Sequence, residues 1–389
     1  MRRFLAALIA AQLVLLGVAV SGGTSVNTQS AEPPAPGDVG PGAPTNAVGR
    51  RTIQIPSEPG RTLTADVWYP ADAAAVTGVA RSTYTFPGLS YTSSVAFDAP
   101  PISGAGPFPL VVYSHGSGGL RYISAYLAEA LAGRGFVVVA VDHTGNTAID
   151  DFAKTTLPRK EILRLRPVDI RAEIDAMAAA SADPTDPFAG AIDTTRVGLV
   201  GHSAGGTGVL MTAAGHDGVA AEKRVRGVVG LAAYVDPVSE RELARLTTPV
   251  MLISGTLDTT TPIKTQTERA WKRIPGDPAY RVDLRGAGHQ SFSDVCYYAK
   301  LVAAKPELPA TIVEAVKSRT DEACTPKFLP ITAAHMLINR YAIGFLERYV
   351  KGDKVDGAMV EAHPTQDRER AGQGLTVRAP CGRSAPGAP

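Results

Sequence analysis

The stretch that decides the fold reads Val197-Gly-Leu-Val-Gly-His-Ser-Ala-Gly-Gly206 and continues directly into Thr207-Gly-Val-Leu-Met211. Its first residues are apolar enough for a buried strand, and the second segment predicts the start of a helix. A serine at a sharp strand-to-helix turn needs small neighbours, because the backbone there is strained and closely packed. Glycines stand two residues before and two after Ser203. Ser203 is therefore a candidate nucleophile.

Predicted strands and helices alternate on both sides of this turn. A helix that opens with Pro167 in its first turn precedes it, and a last helix is expected around 331–350. Repeated strand–helix–strand order predicts an α/β fold with a mostly parallel sheet and helices on both faces. An antiparallel pair, 51–55 and 62–69, comes before this alternation. The buried strands are expected at 110–113, 136–141, 197–200, 225–231, 250–253 and 280–284.

Two later residues could activate the serine. A serine hydroxyl needs a base that removes its proton, and the base needs an acid that orients it. Asp258 follows the strand expected at 250–253, and His289 follows the last predicted strand. This matches a known chain order of serine, acid and histidine. Asp258 is the candidate acid and His289 the candidate base, with Asp236, just before Pro237, as the alternative acid.

Two backbone amides are expected to hold the negative charge that develops on an attacked carbonyl oxygen. One is the amide of Ala204, directly after the candidate nucleophile. The other is expected in Ser114-His-Gly-Ser-Gly-Gly119, whose glycines allow the backbone to turn its N–H groups toward a substrate. Ser117 is the preferred donor there, and Gly116 is the alternative. The loop lacks the Lys-Ser/Thr ending of a P-loop, so it does not predict nucleotide binding.

Other polar residues suggest no metal chemistry. The remaining histidines lack the partner spacing of a metal site, so no catalytic metal is expected. A basic cluster is interpreted as a solvated helix face, with the steering of an anionic or lipid substrate as the alternative. It consists of Arg159, Lys160, Arg164, Arg166 and Arg171, interleaved with Glu161 and Asp169.

The two ends of the chain differ from its middle. Arg2 and Arg3 precede an uncharged apolar run, 5–20, which predicts a cleaved signal peptide over 1–21. This run is too short to span a bilayer. Residues 22–47 read as a Pro/Gly-rich spacer, 48–352 as one catalytic domain, and 353–389 as a flexible tail. We therefore expect a secreted protein without a stable membrane span.

Composition excludes several classes of protein. The 389 residues are 44% hydrophobic and 20% charged, which is ordinary for a globular protein. Lys and Arg number 39 against 37 Asp and Glu, and loss of the signal peptide would remove two arginines. The mature chain would be neutral, so no nucleic-acid partner is expected.

Two of the three cysteines, Cys296 and Cys324, lie 28 residues apart after His289. In an exported protein a disulfide between them is plausible. It would stabilise the fold by about 3–4 kcal/mol on the chain-entropy model. Cys381, in the tail, is the alternative partner.

Four segments resemble the α/β-hydrolase superfamily, within it most closely the platelet-activating-factor acetylhydrolase-like and dienelactone-hydrolase-like branch. They are Val111-Val-Tyr-Ser-His-Gly-Ser-Gly-Gly119, Gly133-Arg-Gly-Phe-Val-Val-Val-Ala-Val-Asp-His143, Arg166-Pro-Val-Asp-Ile-Arg171 and Gly201-His-Ser-Ala-Gly-Gly206. The resemblance covers about 62–352.

This resemblance implies an eight-stranded sheet and ester hydrolysis without a cofactor. It also implies Ser203 as nucleophile, His289 as base, and an oxyanion hole near Ser117 and Ala204. Dienelactone hydrolases use a cysteine nucleophile, so the serine favours an esterase. In the acetylhydrolase group the acid lies after the strand that follows the helix behind the nucleophile, and this position would correspond to Asp236. The Gly255-x-x-Asp258 pattern fits the commoner arrangement, and Asp258 remains preferred.

The expected substrates are short- or medium-chain acyl esters, lipid esters among them. An amidase or peptidase with the same three residues is one alternative. A secreted binding protein without catalysis is the other. The pocket is expected from two irregular segments, 144–166 and 290–330.

Overall fold

The computed structural model describes residues 45–86, 88–275, 278–353 and 376–378. The predicted signal peptide, most of the predicted spacer and tail, and Cys381 lie outside these residues. Among the helices of the described part, none combines the length and hydrophobicity needed to cross a bilayer.

One mixed sheet of eleven strands organises the protein, in the spatial order β11-β10-β9-β8-β7-β5-β6-β2-β1-β4-β3. Strands β5 to β10 pair in parallel with one another. The strands are β1 (Ala47–Pro56), β2 (Thr62–Ala71), β3 (Arg81–Phe86), β4 (Leu89–Asp98), β5 (Phe108–Ser114), β6 (Val137–Val141), β7 (Ile192–His202), β8 (Val225–Leu231), β9 (Val250–Gly255), β10 (Ala279–Leu284) and β11 (Thr376–Arg378).

The predicted α/β class is confirmed, whereas the expected number of eight strands is wrong. The hairpin β3–β4 extends one edge of the sheet, because β4 pairs with β1. The short strand β11 pairs antiparallel with β10 at the other edge.

Helices cover both faces of the sheet. They are α1 (Ala125–Gly133), α2 (Ala148–Ala153), α3 (Arg159–Ala182), α4 (Ala204–Ala214), α5 (Glu240–Ala244), α6 (Thr267–Arg273), α7 (Val295–Ala303), α8 (Ala310–Lys317) and α9 (Ile331–Leu346), which continues into a π-helical turn, Glu347–Lys351.

Two apolar cores result from the alternation of side chains along the buried strands. In β5, Val111 packs into the core beneath α1 and α9, whereas Leu110 and Val112 pack into the core beneath α3 and α4. All three valine and leucine side chains are fully buried. Helices on both faces thus explain why β5 reads as an uninterrupted apolar run.

Three predicted segments differ in the structure. Helix α3 begins at Arg159, directly after Pro158, so Pro167 lies inside the helix rather than in its first turn. The predicted irregular segment 144–166 contains α2 and the start of α3. The predicted irregular segment 290–330 contains α7 and α8. Helices α2, α7 and α8 have six, nine and eight residues, so each is too short to show a repeated helical spacing of apolar residues.

The disulfide Cys296–Cys324 is present and ties the start of α7 to the segment after α8. Its half-cystines pack with Val295 and Ala323 in a small separate apolar cluster. The bond therefore holds the α7–α8 segment as a closed loop on the body of the fold.

The loops that carry the predicted chemistry follow the carboxyl ends of β5, β7, β9 and β10. These strands are parallel, so their carboxyl ends lie on the same side of the sheet. Parallel α/β sheets bind ligands at the carboxyl ends of their strands.

Candidate active site

Ser203 stands in a strained turn between β7 and α4. Its φ of 54° and ψ of −117° are unfavourable for a side chain with a Cβ, and its position exposes the hydroxyl at the sheet edge. A Cβ on Gly201 would overlap the carbonyl of Gly205, and one on Gly205 would overlap the carbonyl of Ser114. The glycine pattern around the serine is therefore a steric requirement of this turn.

His289 lies within hydrogen-bond distance of both candidate partners. Its Nε2 is 3.0 Å from the Oγ of Ser203, and its Nδ1 is 2.9 Å from Oδ2 of Asp258. The imidazole and the carboxylate are both buried. The structure thus brings together the three residues that the sequence indicated, in the geometry of a nucleophile, a base and an orienting acid.

Asp258 is held as a carboxylate by the turn that follows it. Thr261 donates its amide to Oδ1 at 2.6 Å and its hydroxyl to Oδ2 at 2.7 Å. Burial alone would raise the pKa of Asp258. The hydrogen bonds and charge of His289, together with the Thr261 donors, outweigh burial and keep that pKa below its ordinary value. Thr261 was not singled out from the sequence.

Asp236, the alternative acid, lies elsewhere. Its residue is exposed, and its amide donates to Oε1 of Gln266 at 3.2 Å. The ring nitrogens of His289 face Ser203, Asp258 and Thr261.

The loop after β5 forms a tight turn beside the serine. The amide of Gly119 donates to the carbonyl of Gly116 at 3.1 Å, so Ser117 occupies the middle of the turn. A Cβ on Gly116 would lie 3.2 Å from the Cβ of Ser203, which shows how closely the two segments approach. Within the described residues, the amides of Ser117 and Ala204 donate to no other protein atom. Both are free to bind an oxyanion.

Arg166 supports this loop from below. Its Nη1 donates to the hydroxyl of Ser114 at 3.1 Å and to the carbonyl of His115, and its Nη2 donates to Oδ1 of Asn146 at 2.6 Å. Burial lowers the pKa of Arg166 to about 10. The prediction that this basic cluster is a solvated helix face is wrong at Arg166 and Asp169, because both residues are buried. Arg166 donates to the loop carbonyls, and Asp169 bonds to His143.

His143 and Asp169 extend the same buried network. His143 contacts the Ser114 hydroxyl through Nε2 at 2.9 Å and Asp169 through Nδ1 at 2.9 Å. Burial lowers the pKa of His143 to about 4. Burial opposes ionisation of Asp169 too, but His143 and Arg61 outweigh it and lower the pKa of that carboxyl to about 2. The network therefore holds the loop with a neutral imidazole and an ionised carboxylate.

Glu322, which no sequence pattern indicated, forms hydrogen bonds to the loop of Asp258 and to the loop of His289. Its Oε2 accepts from the backbone amide of His289 and from the hydroxyl of Thr260, each at 3.3 Å, while Oε1 accepts from Thr259. Ligand-type atoms of Asp258, His289 and Glu322 lie within 4.8 Å of one another. The imidazole and both carboxylates already form hydrogen bonds to protein groups, which accounts for their closeness.

A pocket opens on the other end of the loop after β5. It lies between this loop, α2, α7 and α8. Gly118 and Gly119 form one wall, and the remaining walls are mainly apolar. The segments predicted to build a pocket thus supply three of its helices.

Comparisons with known proteins match the site-bearing part of the chain. A family model described as PET hydrolase-like matches residues 101–297. Platelet-activating factor acetylhydrolase from Cavia porcellus is 22% identical over 286 residues, which are 65% of this chain and 60% of that protein. Cutinase est1 from Thermobifida alba is 29% identical over 181 residues, 46% of this chain and 52% of that protein. The chain thus spans between half and three-fifths of the length of these relatives.

Proposed function

Because the chain belongs to the PET hydrolase-like family, we propose that it is a carboxylic ester hydrolase that forms an acyl-enzyme on Ser203. One observation carries the proposal: the unbroken series of hydrogen bonds from Ser203 through His289 to Asp258. The nearby amides of Ser117 and Ala204 support it. The relatives named acetylhydrolase and cutinase support the same reaction class.

In the first half of the reaction, the Oγ of Ser203 attacks the carbonyl carbon of the ester while Nε2 of His289 takes the hydroxyl proton. Asp258 accepts a hydrogen bond from the Nδ1–H of His289, which fixes the tautomer and stabilises the imidazolium. The carbonyl oxygen becomes an oxyanion that binds to the amides of Ser117 and Ala204. The bond to the alcohol oxygen then breaks, and His289 gives its proton to that oxygen.

In the second half, water attacks the acyl-enzyme. His289 takes a proton from the water through Nε2, and a second oxyanion forms at the same amides. Collapse of this intermediate breaks the bond to Ser203 and returns the proton to its Oγ. The carboxylic acid leaves, and no cofactor is needed for either step.

The proposed substrates are short- or medium-chain acyl esters, lipid esters among them. We also propose that the enzyme is exported, since the sequence of 1–21 has the pattern of a signal peptide.

The test is hydrolysis of p-nitrophenyl esters and of matched anilides by the wild type and by Ser203→Ala. We expect ester turnover that Ser203→Ala abolishes, and labelling of Ser203 by an alkyl fluorophosphonate. Faster turnover of the anilide would instead support an amidase. No turnover together with no phosphonate labelling would support a binding protein.

A further inference from the structure

His202 lies directly before the nucleophile, and the proposed reaction steps give it no task. Its imidazole is buried, and its Nε2 is 3.0 Å from the backbone carbonyl oxygen of His289, the base. We propose that His202 is a positioning residue, which holds the backbone of His289 beside the nucleophile and thereby sets the distance from Nε2 of the base to the Oγ of Ser203. The inference rests on the proposed ester hydrolysis and adds a residue to its machinery.

The direction of this hydrogen bond fixes the tautomer of His202. A carbonyl oxygen can only accept, so Nε2 of His202 must carry the proton. Burial, followed by the charge on His289, lowers the pKa of His202 to about 3. The ring is therefore neutral at neutral pH, with a proton on Nε2 and none on Nδ1. His202 acts as a donor to the base residue and does not compete with it for protons.

The alternation of side chains along β7 brings His202 to the face of the sheet where the base lies. Val200, two residues earlier, packs in the core beneath α1 and α9, and Phe292 packs in the same core. The ring centroid of His202 is 6.0 Å from that of Phe292 and 4.9 Å from that of His289. Ring contacts thus support the position that the hydrogen bond defines.

His202 also contacts the loop that carries one of the oxyanion donors. A Cβ on Gly116 would lie 3.2 Å from Nδ1 of His202, so the ring packs closely against this loop. On the other side of the base, Glu322 accepts from the backbone amide of His289 at 3.3 Å. Side chains from two separate segments therefore bind the two backbone groups of His289. Of the two, His202 is the one that is covalently joined to Ser203.

The test replaces His202 with glutamine and with leucine. Glutamine carries an amide donor that can reach the same carbonyl, whereas leucine fills the space without a donor. We expect His202→Leu to lower kcat on p-nitrophenyl acetate roughly tenfold, as the loss of one buried hydrogen bond would, and to change KM less than about twofold. His202→Gln should keep kcat within about threefold of the wild-type value. Labelling of Ser203 by an alkyl fluorophosphonate should slow in parallel with kcat, because both reactions need the serine proton to be removed.

His335 provides a matched control. It is a partly buried imidazole whose Nε2 lies 3.2 Å from a backbone carbonyl, that of Ser293, four residues after the base. His335→Leu removes a similar bond from the same segment without touching His289, so kcat should stay within about twofold of the wild-type value. Urea midpoints of all the variants show which of them are folded.

The outcomes separate this inference from the proposed function. A loss in His202→Leu that is absent from His202→Gln and from His335→Leu supports the positioning role. Equal losses in the two folded His202 variants, or a wild-type kcat in His202→Leu, overturn it and leave the esterase intact. If His202→Leu does not fold, His202→Phe replaces it, since it keeps a ring against Phe292 and also lacks the donor. If the wild type hydrolyses no ester and resists the fluorophosphonate, the proposed function itself fails.

Discussion

Asp258 can orient His289 only while it accepts a hydrogen bond from Nδ1–H. In Asp258→Asn the side chain keeps its shape, but the amide competes as a donor and favours the wrong imidazole tautomer. We expect kcat on p-nitrophenyl acetate to fall by about 10⁴-fold, as for triad acids in general. The control is Asp236→Asn, which changes an exposed carboxylate and should alter kcat less than about twofold. A larger loss in the control than in Asp258→Asn would transfer the acid role to Asp236.

Glu322 positions the base through its backbone. Its carboxylate accepts from the amide of His289 and from two threonine hydroxyls of the acid loop. Glu322→Gln replaces one accepting oxygen with a donor, and the loss of one charge-assisted hydrogen bond should lower kcat roughly tenfold. KM should change little, because the residue does not line the pocket. Steady-state kinetics of the variant check this expectation.

The adjacent residue offers a control for Glu322. Asp321 is exposed, so Asp321→Asn removes the same charge from the neighbouring position without touching the two loops. If both substitutions lower kcat equally, net charge near the site is responsible rather than the bridge that Glu322 makes.

Two of the arginines in helix α3 differ in their surroundings. Arg166 is buried beneath the oxyanion loop, whereas Arg164 pairs with Glu58 and Glu161 at the surface. Arg166→Leu leaves the buried carbonyl of His115 and the side-chain oxygen of Asn146 without their charged donor, so we expect a loss of about 3 kcal/mol or more in the free energy of unfolding. Arg164→Leu should cost less than about 1 kcal/mol. Urea denaturation measures both, and equal losses would contradict a supporting role for Arg166.

The sequence could predict the central strands and not the elements around them. Strands β5, β6 and β9 are almost uninterrupted apolar runs, because helices cover both faces of the sheet. The hairpin β3–β4 is rich in serine and threonine, and such a composition is also typical of loops. Pro167 is a common first-turn residue and predicts a helix start. In the structure the helix begins eight residues earlier, at Arg159.

The sequence could indicate the residues of the candidate site only where they follow a buried strand closely. Ser203, Asp258 and His289 each lie within five residues of the end of such a strand. Glu322 follows a surface helix, and the disulfide-closed segment brings it to the site. A contact of this kind depends on how a loop folds back, and no local pattern encodes it.

The stability of the molecule should depend on pH through its buried histidines. Burial lowers the pKa of His143 to about 4 and those of His202 and His335 to about 3, and it lowers the pKa of His115 well below 6.5. The folded protein therefore keeps these rings neutral at pH values where the unfolded chain protonates them. Near pH 5 unfolding takes up as many as four protons at these rings, so their contribution to stability falls as the pH drops below about 6.5. The buried carboxyl of Asp294 acts in the opposite direction, because burial raises its pKa to about 8 and unfolding releases its proton.

The measurement is the urea midpoint of the wild type and of His202→Gln between pH 7 and pH 5. Because the variant lacks one of these rings, the wild type should lose stability relative to the variant as the pH falls. A constant difference between the two midpoints over this range would show that His202 is protonated in the folded state.

The pairing of β8 with β9 places two strand ends next to each other. Leu231 pairs with Ile253, and the Thr261 hydroxyl oxygen lies 3.1 Å from Nδ1 of His289 and 3.0 Å from the carbonyl oxygen of Ala232. The imidazole of His289 thus lies close to the end of β8 as well as to the loop after β9. Reaction chemistry requires a carboxylate at a point in space, not at a fixed place in the chain. Two lineages of this fold can therefore exchange the strand that supplies the acid while the nucleophile, the base and the sheet stay unchanged.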